Sequence, residues 1–322
     1  MPELLHIRAE DVAGQLTWHG VVEALRQGHM GPKASMDDMI LARDKDTLLN
    51  RAAWVPELGM GLKTVTVMAG NKARGLPSVQ GVVVVFNNDT GAPEAVIDNE
   101  PVTYWKTAAD SGLGARLLAR PDMCRLLVIG AGRVAHSLAE VYTALFPELS
   151  DIAIWSRTAA SAERLACTLE RRGMPARAIR DLPREAGRAD AITCATMAYE
   201  PVLKGEWVQP GTHVDLVGAY RADMREADDA RLRKSRIFVD SRETTLDHIG
   251  EMKIPLAEGV ITRQDVLGDL YELCQGKTGR QSPEQITVYK NGGGAHLDLI
   301  TARAIIKACL DCHDKWQPGG SG

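Results

Sequence analysis

Two different spacings of hydrophobic residues divide the chain near Pro121. Before Pro121, residues 18–27 have helical spacing and residues 61–68 alternate between apolar and polar, as in a strand. The apolar runs 79–86 and 94–98 flank a segment of turn-forming residues, which predicts a β-hairpin. We therefore expect antiparallel sheet in this part of the chain. The step after Pro121 is the best candidate for a domain boundary.

Beyond Pro121, short apolar runs alternate with helical segments. Such alternation is typical of an α/β protein with a parallel sheet. The predicted fold class is therefore α/β, with a Rossmann-type doubly wound parallel sheet over 119–298 and an α+β domain with antiparallel sheet over 1–118. We expect residues 317–322 to be a disordered tail. The predicted strands are 125–129, 152–155, 191–194, 213–217 and 237–239, and the predicted helices include 107–118, 159–171 and 299–316.

A glycine-rich turn after the first of these strands predicts a dinucleotide site. An apolar run leads into Gly130-x-Gly132-x-x-Ala135 and then into a helix. Gly130 permits the sharp turn, Gly132 lets the backbone approach a pyrophosphate, and Ala135 lets the helix pack closely on the sheet. The N–H groups of the first helical turn, at Arg133 and Val134, then bind phosphate. This glycine spacing also arises by chance. The prediction of a dinucleotide site therefore depends on the strand before the turn and the helix after it.

The end of the second strand predicts which nicotinamide cofactor is preferred. An acidic residue there accepts hydrogen bonds from the ribose of NAD, whereas an arginine pairs with the 2′-phosphate of NADP. This chain has Ser156, Arg157 and Thr158 at that place and no acid. We therefore predict that NADP(H) is favoured over NAD(H). The alternative is that Arg157 is an ordinary surface ion-pair residue.

Composition argues against several other classes of protein. Hydrophobic residues make up 45% of the chain, charged residues 25%, and the formal net charge is −4. These values are typical of a soluble globular protein and offer no basic surface to nucleic acid or to an anionic membrane. No apolar run approaches the ~20 residues of a membrane span. The first residues lack the pattern of a signal peptide, so we expect a cytoplasmic protein, and we assign no residues to a metal.

One close pair of cysteines needs a separate interpretation. Cys309, Cys312 and His313 match the pattern C-x-x-C-H, which attaches haem. They lie on the predicted terminal helix of a chain without a secretion signal. We therefore prefer to interpret them as two reduced helix cysteines near a frayed end.

Seven motifs, spread in order over nearly the whole chain, indicate one family. They are GLKTV at 61–65, NKARGLPSVQG at 71–81, KTAA at 106–109, GAGRVA at 130–135, PGTH at 210–213, READ at 225–228 and a glycine turn that ends at Asp298. Together they resemble the ornithine cyclodeaminase/mu-crystallin family. The resemblance implies hydride chemistry with a nicotinamide cofactor at a carbon that bears an amino or imino group. It also implies a homodimer, formed through a substrate-binding and dimerisation domain (1–118) that the helix 299–316 closes.

The resemblance also assigns roles to individual residues. Lys63 stands at the position of the family's active-site lysine, which orients the substrate and moves protons when burial or a neighbouring cation lowers its pKa. The alternative is a solvated strand lysine. Arg43 resembles the arginine that binds the substrate carboxylate, and Arg51 is a competing candidate. The residues assigned to the cofactor are Thr107 near its phosphates, Thr196 and Met197 under the nicotinamide half, and Val217.

Two positions depart from the family pattern. Lys106 stands where the family has an arginine that helps to hold the carboxylate, so the charge is kept but the bidentate geometry is lost. Tyr220 aligns where true ornithine cyclodeaminases have an aspartate that handles the amino groups of the substrate, unless Asp223 fills that role after a shift of the alignment. We count Lys106, Tyr220 and His296, which follows the glycine turn, among the substrate-binding residues.

These features predict an NAD(P)H-dependent reductase of a small cyclic ketimine carboxylate, such as Δ1-pyrroline-2-carboxylate or Δ1-piperideine-2-carboxylate. Arg43 and Lys106 are expected to hold the carboxylate, and Lys63 or a bound water to keep the imine nitrogen protonated. The alternatives are ornithine cyclodeaminase, which uses NAD as a bound cofactor and releases ammonia, an alanine-type amino-acid dehydrogenase, and an NADPH-binding protein of mu-crystallin type. Tyr220 counts against the cyclodeaminase, because tyrosine offers no carboxylate to a substrate ammonium group.

Overall fold

The chain folds into two compact units. The computed structural model describes residues 4–315, with side chains described for residues 4–311. The first unit runs to Lys106 and resumes at Gly294, and the second unit is Thr107–Gly293. Both divisions lie earlier in the chain than the predicted boundaries at 118/119 and 298/299. The roles of the two domains stay predictions.

Strands dominate the first unit, whereas helices and strands alternate through the second. In chain order the elements are β1 (Leu5–Ile7), α1 (Ala9–Val12), α2 (Trp18–Gly28), β2 (Ser35–Arg43), β3 (Asp46–Val55), β4 (Gly59–Val67), β5 (Val79–Phe86), β6 (Pro93–Asp98), α3 (Asn99–Leu118), β7 (Arg125–Ile129), α4 (Arg133–Leu145), β8 (Asp151–Trp155), α5 (Ala159–Glu170), β9 (Ala176–Ala178), α6 (Leu182–Ala186), β10 (Ala191–Cys194), β11 (His213–Leu216), α7 (Asp229–Arg233), β12 (Arg236–Val239), α8 (Arg242–Thr245), α9 (Gly250–Ala257), β13 (Val266–Gly268), α10 (Leu270–Cys274), β14 (Thr287–Lys290) and α11 (Ala295–Lys315).

Six of the described strands form one sheet in the first unit, in the order β1-β6-β5-β4-β3-β2. All neighbours are antiparallel except β1 and β6. This confirms the antiparallel sheet and the hairpin of β5 and β6. Along β4, alternate residues from Gly59 to Val65 are buried and those between them are half-buried. That alternation is what a strand with one core-facing side produces.

Helix α11 packs on the core face of this sheet, and α2 packs against α11. Leu299, Ala302 and Ile305 of α11 belong to the apolar core of the first unit. The helix lies so close to β4 that a Cβ atom on Gly61 would be 3.0 Å from Cδ1 of Leu299. Glycine at position 61 therefore allows the close approach of helix and strand. It also brings the start of α11 beside Lys63, which points to the same face of β4.

The opposite face of the sheet carries an exposed apolar surface. Trp54, near the end of β3, is 54% exposed. It borders a groove of about 510 Å³, which Met60 and Leu62 of β4 and Phe86 of β5 also line. This face of the sheet therefore leaves apolar side chains accessible.

Eight of the described strands form a parallel sheet in the second unit, in the order β13-β12-β14-β11-β10-β7-β8-β9. Every neighbouring pair is parallel, which confirms the α/β class with a doubly wound sheet. From β7 the chain continues to β8 and β9 on one side and then crosses to β10 and β11 on the other. The carboxyl ends of β7 and β10 therefore flank the switch point at which folds of this kind bind ligands.

The structure differs from the predicted elements at several places, and the sequence pattern does not predict strands β1, β9, β13 and β14. The sequence pattern does not predict β2 or β3, because β2 is exposed along nearly its whole length and shows no alternation of buried residues. Helix α3 begins at Asn99 instead of residue 107, since Pro101 is tolerated in the first turn of a helix. Helix α11 begins at Ala295 instead of residue 299, which places Asp298 inside the helix.

Within residues 4–315, no helix combines the length and the apolar content that a membrane span requires. The cytoplasmic location stays a prediction. Among the described side chains, no group of three or more His, Cys, Asp or Glu residues could hold a metal ion. Cys309 lies on α11, whereas the side chains of Cys312 and His313 and the predicted tail 317–322 are outside the described residues.

Candidate functional site

Lys63 lies at the centre of a buried polar cluster in the first unit. Its side chain, 9% exposed, projects from the core face of β4. Its Nζ lies 3.1 Å from Oδ1 of Asp298 and donates a 2.9 Å hydrogen bond to Oγ1 of Thr103. Thr103 in turn donates to Oδ1 of Asn99, one turn earlier in α3, at 2.9 Å. A carboxylate from α11 and a hydroxyl from α3 therefore hold the ammonium group.

The groups around Lys63 move its pKa in opposite directions. Burial lowers the pKa of Lys63 most, and the charge of Asp298 raises it. The cations Lys106 and Arg51 lower it further, so that the pKa stays below the ordinary value of a lysine. Burial raises the pKa of Asp298, but the three cations together hold it below its ordinary value. Asp298 is therefore ionised, and its Oδ2 has no hydrogen-bond partner among the described residues.

Arg51 lies directly beside Lys63 in the sheet. The register of β3 and β4 pairs Arg51 with Lys63, and that of β2 and β3 pairs Asp38 with Arg51. Opposite residues of an antiparallel pair project to the same face, so all three side chains share the face of α11. Asp38 accepts from Nε of Arg51 at 3.0 and 3.1 Å, and its Oδ2 lies 2.9 Å from Nη2. The guanidinium group is thus oriented by a carboxylate from the neighbouring strand.

Arg43 does not lie in this cluster. It is the last residue of β2, its side chain is 80% exposed, and its guanidinium is 3.7 Å from Asp46. Residue Asp44, with a φ of 53°, makes the turn that joins β2 to β3 at this point. Arg43 is five positions along β2 from Asp38, which corresponds to about 17 Å. The structure therefore brings the competing candidate Arg51 to Lys63.

Lys106, on α3, is a third cation of the cluster. It is 7% exposed, and its charge acts on Lys63 and Asp298. Its ammonium group forms no hydrogen bond or ion pair with another described residue. Three cations, Arg51, Lys63 and Lys106, therefore lie with two carboxylates, Asp38 and Asp298. A nearly buried cation without an acidic partner is suited to binding an anion.

His296 is buried beside the cluster and makes its contacts inside the protein. Its Nε2 is 3.1 Å from Nε2 of His29, and its Nδ1 is 3.0 Å from Sδ of Met36. Nδ1 of His29 lies 2.7 Å from the carbonyl oxygen of Leu25, so His29 donates there and accepts from His296 at Nε2. Burial, then His29 and then Lys106, lower the pKa of His296 well below its ordinary value. His296 is thus a neutral residue that joins α2 to the start of α11.

In the second unit, the glycine turn after β7 leaves room for a phosphate group. Gly130 has a φ of 134°, and a Cβ atom there would collide with the carbonyl oxygen of Ala195. Gly132 is the N-cap of α4, and a Cβ atom there would meet no other atom within 4 Å. Arg133 and Val134 form the exposed first turn of that helix. The turn therefore fits the pyrophosphate of a dinucleotide at a helix N-terminus.

The residues that follow β8 are accessible and include no acid. Ser156 is half-buried, and Arg157 and Thr158 are exposed at the start of α5. Arg157 forms no ion pair or hydrogen bond with another described residue. The guanidinium of Arg157 is thus accessible to a phosphate group at the end of the second strand.

The other predicted residues of the second unit lie on two loops and on α3. Thr196 and Met197 follow β10, and Met197 is 65% exposed. Val217 follows β11 and is nearly buried. Tyr220, on the same loop, is 57% exposed, and Asp223 forms an exposed ion pair with Arg221 at 3.3 Å. Thr107 lies within α3, and its carbonyl oxygen accepts from Nδ2 of Asn291 at 2.9 Å.

Sequence reasoning missed two residues that hold Lys63 and one residue of the second unit. It named Asp298 only as the end of a glycine turn and gave no role to Thr103. It used Glu226 only as part of the READ motif, although Glu226 receives four hydrogen bonds from the loops after β10 and β11. The position of Arg51 beside Lys63 could have been recognised from the sequence. Both residues lie six positions from Glu57, in the turn between β3 and β4. Once that hairpin is recognised, its register pairs the two cations.

The family model of the ornithine cyclodeaminase/mu-crystallin family matches residues 18–312. The chain belongs to this family. A Δ(1)-pyrroline-2-carboxylate reductase of Paracoccus denitrificans is 52% identical over 298 residues, which cover 92% of this chain and 94% of the relative. The family resemblance of the seven motifs is therefore confirmed.

Two solved structures share the fold over nearly its whole length. The Thermococcus litoralis Δ(1)-pyrroline-2-carboxylate reductase in complex with NADH and L-proline has a TM-score of 0.90 at 28% identity, with 96% of this chain and 98% of that chain covered. An archaeal alanine dehydrogenase dimer with bound NAD has a TM-score of 0.88 at 28% identity, with 96% and 97% covered. Both agree with the two-sheet architecture described above.

Proposed function

We propose that this chain is a nicotinamide-dependent reductase of a small cyclic ketimine carboxylate. The substrate is Δ1-pyrroline-2-carboxylate or its six-membered homologue Δ1-piperideine-2-carboxylate, and the product is the cyclic amino acid. The buried cluster of Arg51, Lys63 and Lys106 with Asp298 carries the proposal. It provides cations for one carboxylate and a proton donor for one imine nitrogen. The 52% identity to a Δ(1)-pyrroline-2-carboxylate reductase supports the same reaction.

Arg51 and Lys106 bind the substrate carboxylate. Asp38 already orients the guanidinium of Arg51, so little side-chain entropy is lost when a carboxylate binds. Lys106 is 7% exposed and has no acidic partner among the described residues. Hydrogen bonds between charged groups are the strong ones, and in a buried site they also fix the orientation of the ring. Arg51 thus takes the role that the sequence assigned to Arg43.

Lys63 keeps the imine nitrogen protonated. Reduction of a C=N bond adds a hydride to carbon and a proton to nitrogen, and a protonated nitrogen makes the carbon a better hydride acceptor. When bound, the nicotinamide cofactor supplies that hydride. The lowered pKa of Lys63 makes its ammonium group a better proton donor than an exposed lysine, while Asp298 keeps it ionised. The hydrogen bond to Thr103 orients Nζ.

The second unit binds the cofactor, and we propose that NADP(H) is preferred over NAD(H). Gly130 and Gly132 receive the pyrophosphate at the N-terminus of α4. Arg157 pairs with the 2′-phosphate, with Ser156 and Thr158 beside it. The support for this preference is Arg157 itself and the lack of an acid after β8. The two similar solved structures contain NADH and NAD.

We further propose a homodimer in which a second copy covers the exposed face of the first-unit sheet. The apolar groove beside Trp54 would be buried by such a contact. The similar archaeal alanine dehydrogenase is described as a dimer. The area around Trp54, Leu62 and Phe86 is therefore the surface that we assign to the partner copy.

A single assay with two substrates tests the proposed reaction. The purified protein is mixed with NADPH, or NADH, and Δ1-pyrroline-2-carboxylate, and cofactor absorbance and proline are measured together. We expect one proline for each cofactor oxidised. Ammonia release from ornithine without net oxidation of the cofactor would overturn the proposal in favour of a cyclodeaminase. No turnover of either substrate by a protein that binds NADPH would overturn it in favour of a binding protein.

A further inference from the structure

Glu226 is a buried carboxylate that receives hydrogen bonds from two loops. Its Oε1 accepts from the N–H and from Oγ1 of Thr196, both at 2.7 Å. Its Oε2 accepts from the N–H of Gly218 at 2.6 Å and from the N–H of Ala219 at 3.3 Å. The side chain is fully buried within the second unit. One carboxylate thus satisfies four donors that belong to two separate segments.

The two loops lie at the functional edge of the parallel sheet. Thr196 follows β10 and Gly218 follows β11, and these strands are neighbours in the sheet. Parallel strands bring their carboxyl ends to one edge, so both loops lie on the same edge as the glycine turn after β7. The loops are also very close together: a Cβ atom on Gly218 would be 2.5 Å from Oε1 of Glu226 and would collide with the backbone of Thr196.

The backbone around Glu226 is itself firmly held. Its N–H donates to Oε2 of Glu251 at 2.6 Å, and the next N–H, that of Ala227, donates to Oε1 at 3.1 Å. Its carbonyl oxygen accepts from the N–H groups of Val202 and Leu203, both at 2.9 Å. Burial and then the charge of Glu251 raise the pKa of Glu226 to about 7. The protein therefore maintains a costly buried acid at a fixed position between the two loops.

We propose that Glu226 is the positioning residue that fixes the two cofactor-facing loops, 195–197 and 217–220, relative to each other. It acts through Thr196 and Gly218 and does not itself contact substrate or cofactor. By holding the loops in one arrangement, it prepares the surface on which the nicotinamide half binds. The part of this inference that concerns the cofactor rests on the proposed function, whereas the coupling of the loops does not.

An amide cannot replace this carboxylate. A carboxylate offers two acceptor oxygens, whereas glutamine offers one oxygen and one NH₂ donor. If the NH₂ group replaced Oε1, it would face the N–H of Thr196; if it replaced Oε2, it would face the N–H groups of Gly218 and Ala219. In either orientation one loop loses its acceptor. Glu226→Gln is therefore an isosteric change that releases one loop from the other.

Asp190 provides a matched control in the same unit. It precedes β10, at the opposite end of the strand from Thr196. Its Oδ2 accepts from the N–H groups of Cys124 and Arg125, both at 3.0 Å, and its Oδ1 from Arg120 at 2.6 Å. Asp190→Asn also removes an acceptor of backbone hydrogen bonds, but it is far from the cofactor edge.

The test measures two properties of both variants. In the cofactor-free protein, amide hydrogen exchange is measured at Thr196, Gly218 and Ala219; NADPH and NADH affinities are then measured by titration of cofactor fluorescence. We expect Glu226→Gln to raise exchange at one of the two loops by at least about tenfold, and to raise the dissociation constant of the cofactor by about tenfold. At saturating cofactor, the KM for the imine acid should change by less than about twofold. Asp190→Asn should leave these values unchanged.

The inference would be overturned if Glu226→Gln had the amide exchange and the cofactor affinity of the wild type. It would also be overturned if Asp190→Asn changed both properties as much as Glu226→Gln does. If Glu226→Gln does not fold, Glu226→Asp replaces it, because it keeps both acceptor oxygens on a side chain one methylene shorter. That variant should raise amide exchange at one of the two loops and raise the dissociation constant of the cofactor relative to the wild type, and wild-type exchange and affinity in it would overturn the inference. If the wild-type protein binds neither NADPH nor NADH, the proposed function fails, and hydrogen exchange alone still decides whether Glu226 couples the loops.

Discussion

Lys63 and Asp298 form a buried ion pair, with Nζ and Oδ1 3.1 Å apart, although 235 positions separate them in the chain. Their side chains are 9% and 2% exposed. Removing one partner of such a pair leaves an uncompensated buried charge, so each residue determines the protonation of the other. In the proposed reaction, Asp298 sets the pH range over which Lys63 can donate a proton.

The pH profile of Asp298→Asn tests that relation. Asp298 raises the pKa of Lys63 against the lowering effect of burial, so the loss of its charge lowers the pKa further. Activity that requires the ammonium form falls as the pH rises through that pKa. We expect the alkaline limb of kcat to move to lower pH by about one to three pH units. Asp46→Asn, which removes a carboxylate beside the exposed Arg43, is the control and should leave the profile unchanged. An unmoved alkaline limb in Asp298→Asn would contradict the role given to Lys63.

Substitution of the two candidate arginines distinguishes their roles. Arg51→Ala removes a guanidinium group beside Lys63, so the KM for the ketimine carboxylate should rise about 10- to 100-fold, the effect of one or two charged hydrogen bonds. Arg43→Ala removes an exposed ion pair and should change the KM by less than about twofold. Steady-state kinetics at saturating cofactor measures both. If Arg43→Ala raised the KM more than Arg51→Ala, Arg43 would be the residue that binds the substrate carboxylate.

Arg157→Ala tests the cofactor preference. The loss of a phosphate partner should raise the KM for NADPH about tenfold or more, and should leave the KM for NADH within about twofold. Arg180→Ala is the matched control, because Arg180 is also exposed in the second unit but pairs with Glu163 at 3.6 Å. If Arg157→Ala keeps the wild-type ratio of the two KM values, the NADP(H) preference is wrong.

Trp54→Glu tests the dimer surface. A charge on the exposed face of the first-unit sheet opposes burial of the apolar groove, so we expect the wild type to be a dimer and this variant to be a monomer. Light scattering after size-exclusion chromatography measures the mass. Met30→Glu changes another exposed apolar residue of the first unit, 45% exposed, and should keep the wild-type mass. If the Trp54→Glu variant were a dimer, the surface around Trp54 would not be the dimer contact.

Five of the eight described strands of the second unit could be predicted from the sequence. Strands β7 and β10 have the predicted bounds. They are almost entirely buried, so their sequences are mostly apolar and lie between helical segments. The glycine turn could be predicted as well, because Gly130 adopts a positive φ that other residues rarely adopt. These features depend on local sequence, which is why the pattern reveals them.

The site of the first unit depends on long-range register and could be predicted only in part. Lys63 could be identified from the family motif, but its partner Asp298 comes from the opposite end of the chain. The choice between Arg43 and Arg51 depends on the pairing of β2, β3 and β4, and the exposed β2 shows no alternation that would fix it. The contacts of Glu226 could not be predicted either, because they depend on two loops that are close in the fold but separate in the sequence.

The most direct test of the proposed reaction follows the hydride itself. The protein is supplied with Δ1-pyrroline-2-carboxylate and NADPH, or NADH, deuterated at the transferable position, and the product is examined by mass spectrometry and NMR. We predict one deuterium on the α-carbon of proline and one cofactor oxidised for each proline formed. Proline without deuterium, or proline formed from ornithine with release of ammonia and no loss of reduced cofactor, would contradict the account.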